Sequence, residues 1–313
     1  MMYFRPVSVL AACAVLAQPA FAQEPEHCRK VVFSDVGWSD ITATTALAST
    51  VLGALGYETE TRILSVPVTY TALSTDDVDV FLGNWMPTME ADIAPYRDTG
   101  TVDTVRTNLT GAKYTLATNQ AGADLGITDF ASIADQKEAL DGKIYGIEPG
   151  NDGNRLLLEM VAMDQFGLGT FEIVESSEQG MLAQVARASD RDTPVVFLGW
   201  EPHPMNAQIR MTYLTGGDDI FGPDLGGAEV RTNTRAGYVE ECPNVGQFLQ
   251  NLEFTLAMEN EVMGAILNDG QDPMAAARDW LSANPDAARG WLADVTTTAG
   301  NDAEDALMAA LEG

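Results

Sequence analysis

Between residues 31 and 200 the apolar and polar positions fall into a strand–helix rhythm. The runs VVFSDVGW, TRILSV and DVDVFLGNW read as strands, because β-branched and aromatic residues bounded by Gly, Asp and Asn suit a pleated, buried surface. In ITATTALASTVLGAL, between the first two, Leu47, Val51 and Leu55 recur four apart. That spacing places them on one helix face, and the surrounding Ala and Thr allow close packing on a sheet. A helix beginning near Pro87 follows the third strand. After the strand-like AKYTLATN the pattern starts again: a helix near ASIADQKEAL, strand KIYGIEPG, helix NRLLLEMVAM, strand FEIVES, helix EQGMLAQVARA and strand TPVVFLGW. Two successive βαβ sets predict an α/β protein.

No flexible linker, low-complexity tract or charge block separates the two sets, so they read as lobes joined by crossing strands rather than beads on a string. The glycine-rich stretch from Gly216 to Val230 is the expected loop before a return crossing. The last eighty or so residues, from CPNVGQFLQNLEFTLAMENEVMGAIL onward, read as helices, with Trp280 and Trp291 as packing residues.

Residues 1–22 read as a signal peptide: Arg5 precedes the apolar run VSVLAACAVLA, and Ala20-Phe21-Ala22 gives the small-x-small pattern for cleavage after Ala22. The run is well short of the roughly 20 residues a bilayer span needs. A competing cue, Leu10-Ala11-Ala12-Cys13, has the form of a lipoprotein cleavage site, but cutting there would leave half the apolar run on the mature chain. Once Cys13 leaves with the leader, Cys28 and Cys242 remain in an oxidising compartment and are expected to pair. That bond would bring the start of the mature chain beside a segment over two hundred residues later. The net charge of −29, from 46 acidic and 17 basic residues, disfavours nucleic acid and anionic membranes as partners, since both would be repelled. Cationic or neutral ligands fit better, although an acidic coat also serves solubility.

Three of the five tryptophans recur in one context, directly after an apolar strand and a glycine turn: VVFSDVG-Trp38, DVFLGN-Trp85 and VVFLG-Trp200. In open α/β sheets, ligands sit beyond the carboxyl ends of parallel strands, so these indoles are aimed at a binding crevice. Several aromatic faces suit a quaternary ammonium, whose charge is spread over methyl groups and which has no N–H bonds to satisfy. Asp40 in GWSD and Asn151 in EPGNDGN lie at strand-to-helix loops, where either could accept a hydrogen bond from a ligand hydroxyl; both residue types are also ordinary helix-start and turn formers. Tyr114 falls at the expected crossing between lobes, but nothing in the pattern sets it apart from Tyr70, Tyr145 or Tyr213.

At these residues the sequence resembles the periplasmic choline-binding proteins of bacterial ABC importers, within the wider group that binds glycine betaine and related solutes. The resemblance runs from about Cys28 to the C-terminus and is carried by FSDVGWSDITATT, SVPVTYTAL, DVFLGNWMPTMEADIAPYR, GAKYTLATN, KIYGIEPGNDGNR, SSEQGMLAQVARA and VFLGWEPHPMNA. It implies a type II periplasmic-binding-protein fold, two α/β lobes joined by a hinge with the ligand in the cleft. The lobes would comprise 23–112 with 226–313, and 113–225. It further implies a box for a trimethylammonium head made by Trp38, Trp85, Tyr114 and Trp200, with Asp40 and Asn151 on the choline hydroxyl, and it supports the Cys28 to Cys242 disulfide. Choline is favoured over betaine because Asp40 would repel a carboxylate; acetylcholine lacks the hydroxyl donor. A monomeric periplasmic protein delivering choline to inner-membrane permease subunits, without cofactor or metal, is the expectation. Betaine binding and a choline-sensing subunit are the alternatives.

An enzyme acting on choline esters would need a nucleophile, a base and an oxyanion site. The two histidines are His27, near the mature N-terminus, and His203 in EPHP, which is expected to pack in its loop. No nucleophile elbow, HExxH, Walker loop or dinucleotide glycine fingerprint is present. Acidic pairs such as Asp76 and Asp77 are too common in this composition to signal acid/base chemistry.

Overall fold

The structure, a computed structural model, describes residues 24–312, with Met1 alone before them. The leader with its cleavage site after Ala22, and Cys13, therefore lie outside the described residues. Nine strands form one sheet: β1 Lys30–Asp35, β2 Glu58–Ile63, β3 Val80–Met86, β4 Val102–Asn119, β5 Lys143–Tyr145, β6 Glu172–Val174, β7 Val196–Glu201, β8 Met211–Tyr213 and β9 Gly227–Arg235. Helices of nine residues or more are α1 Ser39–Ala54, α2 Val66–Ser74, α3 Glu90–Asp98, α4 Asp152–Ala162, α5 Glu178–Asp190, α6 Pro243–Asn251, α7 Leu256–Leu267, α8 Pro273–Ala283 and α9 Ala303–Glu312.

The strand order β2-β1-β3-β9-β4-β7-β5-β6 makes the mixed α/β, two-lobed architecture explicit. β2, β1 and β3 are parallel at one end, and β6, β5 and β7 are parallel at the other. Antiparallel β9 and β4 join them. The long β4 pairs with β9 as far as Lys113 and with β7 from Lys113 to Thr118, so one strand serves both trios. The carboxyl ends of the two trios define the crevice, the position where open α/β sheets bind ligands.

Burial follows from this arrangement. Every residue of β3 is buried, as are the first five of β7, which explains why both read as continuous apolar runs. α1 is buried almost all round because α7 and α8 pack on the side away from the sheet, so its small residues serve two contact faces rather than one apolar stripe. β2, at the sheet edge, carries Glu58, Glu60 and Arg62, charges that discourage pairing with another chain.

Cys28 and Cys242 form a disulfide with their Cα atoms 5.5 Å apart. It ties the turn before β1 to the start of α6. The glycine-rich segment differs from expectation: the return crossing begins at Gly227, inside the stretch read as loop to Val230. Gly227 and Ala228 pair with β4, and from Glu229 the strand pairs with both β4 and β3, so ladder pairing overrides the weak strand propensity of glycine. Among the described residues no helix is long and apolar enough to cross a membrane.

Candidate functional site

The turn between β1 and α1 sets the first wall of the crevice. Gly37 adopts φ +83°, a left-handed conformation that costs residues with a Cβ about 1 kcal/mol or more. Its N–H donates to Asp35 Oδ1 at 2.7 Å, and Thr42 Oγ1 on α1 donates to Asp35 Oδ2 at 2.7 Å. This clamp directs Trp38 out of the strand. Burial raises the Asp35 carboxyl above its ordinary value. Trp38 occupies the N-cap position of α1 and supplies no side-chain cap; its indole N–H donates instead to Glu148 Oε1, on the loop after β5, at 2.8 Å. Asp40 stands in the first turn of α1. It accepts the indole N–H of Trp85 at 2.9 Å.

Trp85 and Trp200 are the penultimate residues of β3 and β7. The sequence reading placed each after a glycine turn, which holds only for Trp38; Gly83 and Gly199 lie inside their strands, because the buried ladders continue through them. Tyr114 stands opposite Trp200 in the β4–β7 ladder, with ring centroids 6.3 Å apart at 80°. It meets Trp85 at 6.1 Å and 62°. These edge-to-face contacts hold the rings in fixed relative orientation. Tyr114 also leans on α4, where a Cβ added to Gly153 would lie 2.0 Å from its hydroxyl oxygen.

Asn151 is the N-cap of α4, and its Oδ1 accepts both the Asn154 backbone N–H at 3.1 Å and the Tyr114 O–H at 2.9 Å. Its Nδ2 donates to Asp152 Oδ1 at 3.0 Å. The acceptor is thus filled and one N–H remains, so Asn151 can offer a donor to a ligand, not the acceptor that the sequence reading gave it.

All six residues singled out in the sequence, Trp38, Asp40, Trp85, Tyr114, Asn151 and Trp200, line one cavity, which Ile147 and Asp152 complete. The four rings are at most 6% exposed. None of the described residues lining it is basic. Burial pushes the Asp40 carboxyl up to about 7, reinforced by the charge of Glu178 and opposed by the Trp85 hydrogen bond. Burial likewise pushes Asp152 up to about 6 and Glu148 up to about 7. Asp152 Oδ2 is buried without a hydrogen-bond partner among the described residues. An enclosure of aromatic faces with surplus carboxylate favours a compact cation whose charge is diffuse.

Several functional neighbours escaped the sequence reading. Asp152 follows Asn151 and has the look of an ordinary acidic residue at a helix start. Glu178, on α5, accepts the Ser39 backbone N–H at 3.0 Å and also the Ser39 hydroxyl. His203, expected to pack in its loop, is 2% exposed and places Nε2 3.3 Å from Glu178 Oε1. Arg155 Nη2 reaches Thr88 O at 3.0 Å and Asp92 Oδ2 at 2.9 Å.

Residues 29–283 match the family described as the substrate binding domain of the ABC-type glycine betaine transport system. A solved structure described as an ABC-transporter choline binding protein in complex with choline is 67% identical, covering 92% of this chain and 100% of that one, with a TM-score of 0.91. A structure described as an ABC-transporter choline binding protein in an unliganded semi-closed conformation is 66% identical, covering 91% and 99%, with a TM-score of 0.84. A curated relative, an uncharacterized protein of Chromohalobacter salexigens, is 49% identical over 152 residues, 49% of this chain and 96% of its own length. The fold, the crevice at the strand ends and the match over most of the chain lead to one conclusion: the chain belongs to the family of substrate-binding domains of ABC-type glycine betaine transport systems.

Proposed function

We propose that the cavity holds choline and that the closed protein delivers it to the membrane permease of an ABC importer. The observation that carries this reading is a box of four aromatic rings, Trp38, Trp85, Tyr114 and Trp200, with a buried carboxylate beside it and no basic side chain among the described lining residues. The trimethylammonium head sits among the rings, each contributing about 0.5–2 kcal/mol once water is excluded. The hydroxyl sits between Asp40, which accepts its proton, and the remaining N–H of Asn151, which donates to its oxygen. Asp152, hydrogen-bonded to Asn151, adds negative charge to the wall of the site. Glycine betaine would bring a carboxylate where choline has its hydroxyl, facing Asp40 without a cation to balance it, and therefore binds less well. The solved choline complex at 67% identity supports the same choice.

In this reading the lobes comprise 23–112 with 226–313, and 113–225, hinged where β4 changes partners. The leader 1–22 is removed on export, and the protein works as a periplasmic monomer without catalysing a reaction on its ligand. Its small ligand limits the binding free energy to about −10 kcal/mol, which corresponds to a Kd of tens of nanomolar at the tightest.

Titration of refolded, ligand-free protein with choline, betaine and acetylcholine, followed by tryptophan fluorescence and calorimetry, tests the reading. Choline is expected to bind with a Kd of about 1 μM or below, and Trp200→Ala to weaken it by about 30-fold or more through loss of one wall of the box. Absence of binding by all three solutes would overturn the aromatic-box assignment.

A further inference from the structure

α1 is a 16-residue helix whose N-cap residue, Trp38, makes no side-chain cap. Its first N–H groups have no partner within the helix. The carboxylate that meets them comes from the other side of the cleft. Glu178, the first residue of α5, accepts the Ser39 N–H through Oε2 and the Ser39 hydroxyl through Oε1. It is 1% exposed, and it lies between two helix N-termini, whose dipoles both favour its charge. On its own side it faces His203. The Met205 backbone N–H donates to His203 Nδ1 at 3.0 Å, which places the ring proton on Nε2, toward Glu178. The His203 ring in turn packs edge-on to Trp200 at 5.1 Å.

We propose that Glu178 is the latch of the closed form: by capping α1 across the cleft, it holds Trp38 and Asp40 against the half of the box that carries Trp200. Glu178 does not line the cavity, so it acts as a positioning residue and not as a ligand contact. Two other contacts cross the cleft: the Trp38 indole N–H to Glu148 Oε1 at 2.8 Å, and the ion pair of Arg155 with Asp92, whose arginine is 31% exposed and so partly screened by solvent. The buried Glu178 contacts join the two sides of the cleft, so in the empty protein as in the filled one their strength sets how long the cleft stays shut. The effect on ligand release rests on the choline reading; the capping of α1 does not.

Two readouts separate these levels. Glu178→Gln keeps the shape but leaves a donor facing a donor in either amide orientation, because the Ser39 N–H approaches one oxygen and His203 Nε2–H the other. Hydrogen exchange of the empty protein is expected to show the first-turn amides of α1 exchanging about tenfold faster in Glu178→Gln, with a smaller rise in Ser39→Ala. Stopped-flow tryptophan fluorescence is expected to show choline leaving about 10- to 100-fold faster in Glu178→Gln, while its on-rate changes by less than about threefold. Wild-type exchange at α1 in both variants would overturn the latch. A wild-type protein that binds no choline would overturn the ligand assignment, with the exchange arm still deciding the latch.

Discussion

At the scale of single residues, the proposed site makes choline binding dependent on pH through Asp40. In the empty closed protein burial, then Glu178, push its carboxyl up to about 7 from 3.8, and Glu259 on α7 adds a further acidic neighbour. A cation in the box favours the ionised form and lowers that pKa. Binding therefore expels a proton: affinity is full above about pH 7 and falls as pH drops through that value, until the pKa of the complex is reached. Glu148 and Asp152, also raised by burial, steepen the fall. Calorimetry is expected to give choline binding about tenfold weaker near pH 6 than near pH 8, with proton release on binding. A flat profile would mean that Asp40 does not share the site with the cation. The empty fold responds with the opposite sign. Asp40 binds its proton more tightly folded than unfolded, so stability from this group is greatest at low pH and declines as pH rises from about 4 to about 7.

At the scale of elements, the disulfide fastens the turn before β1 to α6, at the opposite end of β1 from Trp38. Cross-linking residues separated by 214 positions restricts the unfolded chain over a very long loop. Cys28→Ser with Cys242→Ser is expected to lower unfolding free energy by about 2–5 kcal/mol in denaturant titration while leaving choline affinity within about twofold. A large loss of affinity without loss of stability would contradict this division. The same remoteness explains what was legible in the sequence. Most strand and helix identities from β1 to β7 came through because period and punctuation are local, and the three indoles stood out because each closes an apolar run; the helix α2, Val66–Ser74, and the first ten residues of β4, before AKYTLATN, went unread. β9 started earlier than its composition suggested, since Gly227 is held in the ladder opposite Lys113 of β4. Glu178 was hidden altogether: it acts on Ser39, 139 positions away, and its own neighbourhood reads as an ordinary helix start; His203 was read as a loop-packing residue, without its contact to Glu178. Asn151 was found but given the wrong polarity, because the Tyr114 hydroxyl that fills its acceptor belongs to another strand.

At the scale of the whole molecule, the two parallel trios close over a cavity whose rings are almost sealed from solvent, and the chain superposes with a TM-score of 0.91 on the choline complex and 0.84 on the unliganded semi-closed form. Rings from both halves of the sheet line the cavity, so on the proposed reading recognition and closure are one event, secured by Glu178, and the charge of the site selects the quaternary ammonium retained. The most direct test is calorimetric titration of choline and glycine betaine, side by side, into the wild type and Asp40→Asn at about pH 8, where Asp40 is ionised. The wild type is expected to prefer choline by about tenfold or more, and Asp40→Asn to lose most of that preference by weakening choline and easing betaine. Equal or tighter betaine binding by the wild type, or an unchanged preference in Asp40→Asn, would contradict the assignment of Asp40 as the group that selects choline.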